Sequence, residues 1–413
     1  MTAVVPGREE RASLSEKAAA RDRGRGVVIV GGAHGTIALA RSLRGFDIPV
    51  WHITDDSPLP GFSRHIHRTL KWPGPLDPYA AEILARLAKE NGLEGYVLIA
   101  SGDAEVKLIS QAYERLSAVY RLVTQPWREL SVACDKREAY ARAKEIGLFI
   151  PEIHAITSVE QAAAADLVYP VVLKPSMRIG RNPFTIEKAW RADDREMFLA
   201  LYESAAGYVG PENVVVQEMV PGCGETQLSY AALWDNGVPV AELTARRTRQ
   251  YPIEFSYTST FVETVDAPDV LDAGRRFCAS IRLNGLVEIE FKRDPRNGKL
   301  KLLDVNPRPW TWFGLAEASG VDFGPLLWAK ADGEIVPTSG KPQAGIGWMY
   351  TSRDIVAAAQ MIRRGWLSPR AYFASIFKVR SWAAFALTDP LPAIVDAPLV
   401  IFRILTRRIF VRR

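Results

Sequence analysis

Two short runs near residue 290 constrain the fold most. "LVEIEF" (286–291) and "LKLLDVN" (300–306) are apolar enough to be buried strands, and "DPRNG" (294–298) lies between them. Asn-Gly between two strand-like runs predicts a hairpin. Side chains alternate faces along a strand, so Glu288 and Glu290 share one face and Asp304 and Asn306 share another, with Arg308 next in line. If Glu290 lies opposite Asp304, two carboxylates and an amide oxygen converge. Carboxylates that close repel unless a cation sits between them. An all-oxygen set suits Mg²⁺, with Mn²⁺ as a substitute, and leaves waters and phosphates as the remaining ligands. The plainer alternative is a solvated hairpin face carrying ordinary charge pairs.

Upstream, "GVVIVGGAHGTIALARSLRGFDIPVWHIT" (26–54) predicts strand, turn, helix and strand, a βαβ unit and hence a parallel sheet. Its GGAHGT is not GxGxxG, so the glycines mark a tight strand-to-helix turn. Tyr96–Ala100 followed by Ser101–Asp103 repeats the theme. Residues 26–125 therefore read as an open α/β domain whose strand ends gather ligand-facing loops. His34 and Asp103 are the substrate candidates there, with a helix-start role as the alternative for His34. A helix is expected from near Asp135, and "YPVVLKPSMRIGRNPFTI" gives two strands around a polar turn. Lys174 ends the first of these and can place its ammonium on a phosphate. "ENVVVQEMVPGCGETQLSYAALWDNGVPVAEL" predicts a strand, a Pro-Gly turn and a hairpin closed at 235–237. The middle and C-terminal parts are α+β and rich in antiparallel strands.

A chain of 413 residues should hold more than one compact unit, and a net charge of +5 gives no argument for nucleic acid. Three cysteines without a CxxC pair read as free buried thiols in a reducing, cytoplasmic compartment. Residues 1–25 are charged and lack an apolar h-region, so a disordered lead-in is expected rather than a secretory signal. The tail 391–413 is apolar with Arg403, Arg407, Arg408 and Arg412 at helical intervals. Such a helix suits peripheral contact with the inner face of a membrane, or docking on the protein's own core or on a second copy in a homodimer.

Taken in order, these motifs resemble the ATP-grasp superfamily over roughly residues 26–335. The resemblance implies an N-terminal α/β domain (26–125), a central region with the lid (126–215), a C-terminal domain with the Mg²⁺ site (216–340) and a helical extension (341–413). It implies that Lys136 and Lys174 serve the nucleotide, under a lid loop containing Ser176, Arg178 and Gly180. Glu218 and the backbone of Met219 and Val220 would meet adenine, and Glu225 the ribose hydroxyls. Glu290, Asp304 and Asn306 would bind Mg²⁺. In "ARRTRQ", an arginine would supply a cation to the γ-phosphate, Arg247 or Arg249, with the choice between them open. Arg308, in "NPRP", would serve the transferred phosphate or the acceptor carboxylate, and with Lys174 would be catalytic. The chain departs from the pattern at Ile253–Tyr257, where glycines are usual, and at Asp304, where Glu is more frequent.

Within that superfamily the pattern is similar to the carboxylate–amine ligases that include D-aspartate ligase. These join a small-molecule or peptide carboxylate to an amine through an acyl phosphate, converting ATP to ADP and phosphate. The other readings are phosphotransfer to a different acceptor, and nucleotide binding without turnover.

Overall fold

A computed structural model describes residues 26–254, 258–333 and 340–410, with the backbone alone at 401 and 403–410. The expected lead-in, Tyr257 and the tail arginines lie outside the described residues or side chains.

Strands β1 (Val27–Val30), β2 (Val50–Thr54), β3 (Arg68–Lys71), β4 (Val97–Ala100) and β5 (Arg121–Leu122) form a parallel sheet in the order β3-β2-β1-β4-β5. The β-branched run of β1 is buried throughout, as a central parallel strand covered on both faces requires. The chain then turns through Gly31 and Gly32, both at φ +75°. A Cβ on Gly32 would sit 2.2 Å from Ser101 Oγ, so only glycine lets β1 and β4 end side by side.

The second sheet is small: β6 (Ile153–His154), β7 (Val171–Pro175), β8 (Trp190–Ala192) and β9 (Val214–Glu218), in the antiparallel order β6-β9-β7-β8. Val171 and Leu173 of β7 and Val214 and Val216 of β9 pack on Phe198 and Tyr202 of helix Arg195–Val209. Strand alternation therefore leaves Val172, Lys174 and Gln217 on the other face. Because β9 runs to Glu218, this sheet ends past the boundary expected at 215.

The third sheet holds β10 (Gln227–Asp235), β11 (Val238–Tyr251), β12 (Thr258–Thr264), β13 (Gly285–Arg293), β14 (Leu300–Asn306), β15 (Gly347–Met349) and β16 (Val379–Trp382). Their order is β14-β13-β10-β11-β12-β15-β16. The region 341–413 is thus not helical alone. β15 pairs with β12, which otherwise would present an open edge. Trp310, Trp312 and Phe313 are fully buried in one core cluster shared by the first and third sheets, which fixes the two against each other.

The thiols are free, but only Cys278 is buried as expected. Cys134 is half-buried, and Cys223 is exposed because it sits on the turn that leaves β9. The last element among the described residues is helix Leu391–Phe410. Among the described residues no helix is long and apolar enough to cross a membrane.

Candidate functional site

The hairpin register places Glu288 opposite Asn306 and Glu290 opposite Asp304. The other face of the two strands, with Ile289, Phe291 and Leu302, is sealed in core. That burial supports the apolar reading of the strands and forces the polar alternates to one side. Above that side lies a cavity of about 550 Å³, roofed by the small sheet. Lys174 reaches it from β7, Lys136 from the start of helix Lys136–Glu145, and Lys188 from the end of helix Pro183–Glu187. The wall is apolar at Val172, Met219, Val220 and Leu303.

Charge in the cavity is unbalanced. Six cationic side chains line it (Lys136, Lys174, Arg178, Lys188, Arg191 and Lys292), against three carboxylates (Glu254, Glu290 and Asp304). A polyanion therefore fits. Lys136 Nζ lies 3.0 Å from Asp304 Oδ1. Arg247 pairs with Glu290, and its Nε donates to Ser259 Oγ at 2.8 Å. Burial alone would raise the Glu290 carboxyl, but Arg247, Lys188 and Lys174 together hold it below the usual carboxylate range. Burial and the neighbouring Glu290 charge push Glu288 upward. Glu288 accepts from Ser229 Oγ and Trp312 Nε1, both at 3.1 Å, and from Asn306 Nδ2 at 3.3 Å. Burial lowers Lys174 to about 8, with Lys136 adding to the shift and Asp304 and Glu290 opposing it. Burial and then Arg178 bring Lys188 to the same value.

Next to the carboxylate pair the hairpin meets the first domain. Asp103 begins helix Asp103–Gln111, which follows β4. Arg308 donates through Nε to Asp103 and through Nη2 to Asn306 Oδ1 at 3.1 Å, and Arg178 Nη1 lies 3.7 Å from Asp103 Oδ2. Burial would lower the Arg308 guanidinium, but Asp103 outweighs it and holds the side chain firmly charged. A small crevice joins Asp103, Arg178, Asp304 and Asn306.

The fold therefore brings together Lys136, Lys174, Arg178, Met219, Val220, Arg247, Glu290 and Asp304, with Asn306, Asp103 and Arg308 at one end. Other expected residues lie elsewhere. Glu218 shares the strand face of Val214 and Val216, so its carboxylate turns from the cavity and takes Lys301 and Arg296, the latter at 2.6 Å. Glu225 is exposed on the turn Gly224–Thr226 and is absent from the cavity lining. Ser176 is buried and structural: its carbonyl accepts from the Lys136 N–H at 3.1 Å and its N–H donates to Asn213 O at 2.8 Å. Gly180, at φ +76°, accepts from Thr185 Oγ1 at 3.0 Å and does not line the cavity. His34 Nε2 lies 3.2 Å from Asp396 Oδ1, and its ring lies 4.4 Å from that of Tyr350, so it faces the C-terminal helix.

Lys188 and Lys292 escaped the sequence reading. Lys292 was within reach, since it continues the alternation of Glu288 and Glu290. Lys188 carries no such signal. It sits at φ +67° after a helix of five residues, and only the folded turn between β7 and β8 brings it inward.

Among the described residues no three His, Cys, Asp or Glu side chains converge as a metal cage. The donor set nonetheless fits Mg²⁺, because Glu290 and Asp304 are register partners and Asn306, whose amide oxygen here accepts from Arg308, follows on the same strand two residues after Asp304. A hard cation of this kind completes its shell with water and phosphate oxygens rather than with a protein cage.

No family model matches the chain. D-aspartate ligase of Enterococcus faecium is 26% identical over 260 residues, which cover 56% of this chain and 58% of that protein. The chain thus spans little more than half the length of the curated relative it matches. Among solved structures, the biotin carboxylase domain of Hydrogenobacter thermophilus 2-oxoglutarate carboxylase, in complex with MgADP, ADP and bicarbonate, superposes with a TM-score of 0.62 at 16% identity. That match covers 78% of this chain and 73% of the other. The L-amino acid ligase from Bacillus licheniformis gives 0.58 at 16% identity, over 76% of this chain and 78% of its own.

Proposed function

On the ATP-grasp fold that this chain adopts, we propose an ATP-dependent carboxylate–amine ligase that forms a carbon–nitrogen bond through an acyl phosphate. The observation that carries this reading is the pairing of Glu290 with Asp304 on the floor of a cation-rich cavity, facing Lys174. An apolar wall for a purine and an excess of ammonium groups for phosphates meet in one space. Glu290, Asp304 and Asn306 would hold Mg²⁺, which when bound supplies charge neutralisation across the phosphates. Lys136, Lys174 and Lys188 add fixed positive charge, which a buried site makes more effective than water would. Arg247 keeps Glu290 ionised before the substrates arrive.

Arg308, locked by Asp103 and Asn306, is placed to receive the acceptor carboxylate. An oxygen of that carboxylate attacks the γ-phosphorus as the bond to ADP breaks. The amine then attacks the acyl carbon, loses a proton, and expels phosphate. The small sheet above the cavity shields the acyl phosphate from water. The likeness to D-aspartate ligase favours an amino acid as one substrate. Consumption of ATP and three free thiols suit the reducing cytoplasm.

The test is ADP release with Mg-ATP across a panel of D- and L-amino acids and other carboxylates, with hydroxylamine present. A hydroxamate formed with one acid supports the reading. ADP release without any hydroxamate, in proportion to a hydroxyl or phosphate acceptor, would replace it with phosphotransfer.

A further inference from the structure

The C-terminal helix carries apolar side chains on its outward face as well as its inward one. Surface helices turn apolar residues inward and polar ones to water. Here the buried positions are Pro392 and Asp396, one turn apart, with Ala393, Val395, Leu399 and Val400 half-buried. Asp396 accepts from Tyr350 OH at 3.1 Å and Ser352 Oγ at 3.0 Å, besides its contact with His34. The outward stripe is Leu391, Ile394, Pro398 and Phe402, at intervals of three, four and four residues. Leu391, Ile394 and Phe402 are 47%, 66% and 63% exposed, and Leu387 just before the helix is 89% exposed. The helix packs on the turn Leu59–Phe62, whose Phe62 is also exposed. Beside this stripe, Arg64 is exposed; its backbone N–H donates to Asp389 Oδ1 at 3.0 Å and its Nη1 to Thr388 O at 3.2 Å, and among the described residues no ion pair is formed by its guanidinium. The sequence adds Arg403, Arg407 and Arg408 to the same helix.

We infer that this helix lies in the plane of an anionic lipid bilayer, with Leu387, Leu391 and Ile394 in the acyl boundary and Arg64 at the headgroup phosphates. An apolar helix face with a cation beside it suits an interfacial helix, and the positive charge selects anionic lipid. The polar anchor at Asp396 fixes the helix so that its apolar side stays outward. This inference does not depend on the ligase reading, since none of its residues lines the cavity.

The experiment is co-sedimentation of the full chain with vesicles of phosphatidylcholine alone or mixed with phosphatidylglycerol. At low salt the full chain should partition at least tenfold more strongly onto the anionic vesicles. Leu391→Asp with Ile394→Asp should lower that partition at least tenfold, and Arg64→Glu several-fold, with an unchanged thermal melt by circular dichroism. Should the double variant not fold, Ile394→Ser alone is the milder probe and should still show a measurable loss. Equal sedimentation of wild type and variants overturns the inference. So does a dimer seen by light scattering that the Asp variants dissociate, because the stripe would then join two copies.

Discussion

Arg247 and Arg249 stand two residues apart on β11, both buried, and their surroundings differ sharply. Arg249 is saturated. Its Nε and Nη2 donate to the two oxygens of Asp354 at 2.9 Å each, its Nη1 donates to Ser375 Oγ at 2.9 Å, and it lies over the rings of Phe261 and Tyr372. Arg247 pairs with Glu290 and Ser259, with Glu288 and Asp304 also holding it charged, and it stands behind the carboxylate pair of a cavity whose lining cations outnumber its acids. A guanidinium bonded at all three nitrogens, away from the cavity, holds a fold together. One that sets the charge of a carboxylate in a cation-rich cavity belongs to a site waiting for an anion.

The largest effect expected from this contrast is on stability. Arg249→Ala should cost about 3–5 kcal/mol in denaturant unfolding, because it strands the fully buried Asp354 carboxylate. A loss under about 1 kcal/mol would mean that the pair is solvated in solution, and the comparison would fail on this side. Arg247→Ala should do the reverse. Lys174 and Lys188 still face Glu290, so stability should change by no more than about 1 kcal/mol. ADP formation should fall by about 10²-fold, the scale for removing one aligned charge from a phosphoryl-transfer site. Equal destabilisation by both substitutions would erase the distinction between them.

This contrast also marks how far the sequence could be read. A regular strand would put Arg247 and Arg249 on one face, and "ARRTRQ" offers no reason to choose between them. The β11–β12 ladder is irregular between Arg246 and Arg249, and that irregularity sends the two side chains to different surroundings. Glu290 and Asp304 were legible because their positions follow from alternation and a turn, both local rules. The parallel first domain was legible for the same reason, through its βαβ pattern. Glu218 was misplaced because a motif names a residue without stating its face; counting from the buried Val214 and Val216 turns it away. β15 and β16 were missed as strands of the large sheet because they are short and their pairing is set by the edge of β12, not by their own sequence.

The smallest effect is a pH dependence, and it tests the unsaturated side of the comparison directly. Burial brings Lys174 and Lys188 from 10.5 down to about 8, so both lose their protons within an accessible range. Only the ammonium form attracts phosphate. Capture of Mg-ATP by the free protein, read as kcat/KM, should therefore be level below pH 7 and fall by up to about tenfold per unit above pH 8. Bound phosphates favour the protonated lysines, so the basic limb of kcat should lie at higher pH than that of kcat/KM. Lys174→Arg keeps its charge across this range and should flatten the limb in part, with Lys188 left to titrate. If kcat/KM stays level to pH 10 in the wild type, the two lysines are already paired with counter-charges in solution. The cavity would then be as saturated as the site of Arg249, and the case for an anion waiting to be bound would be lost.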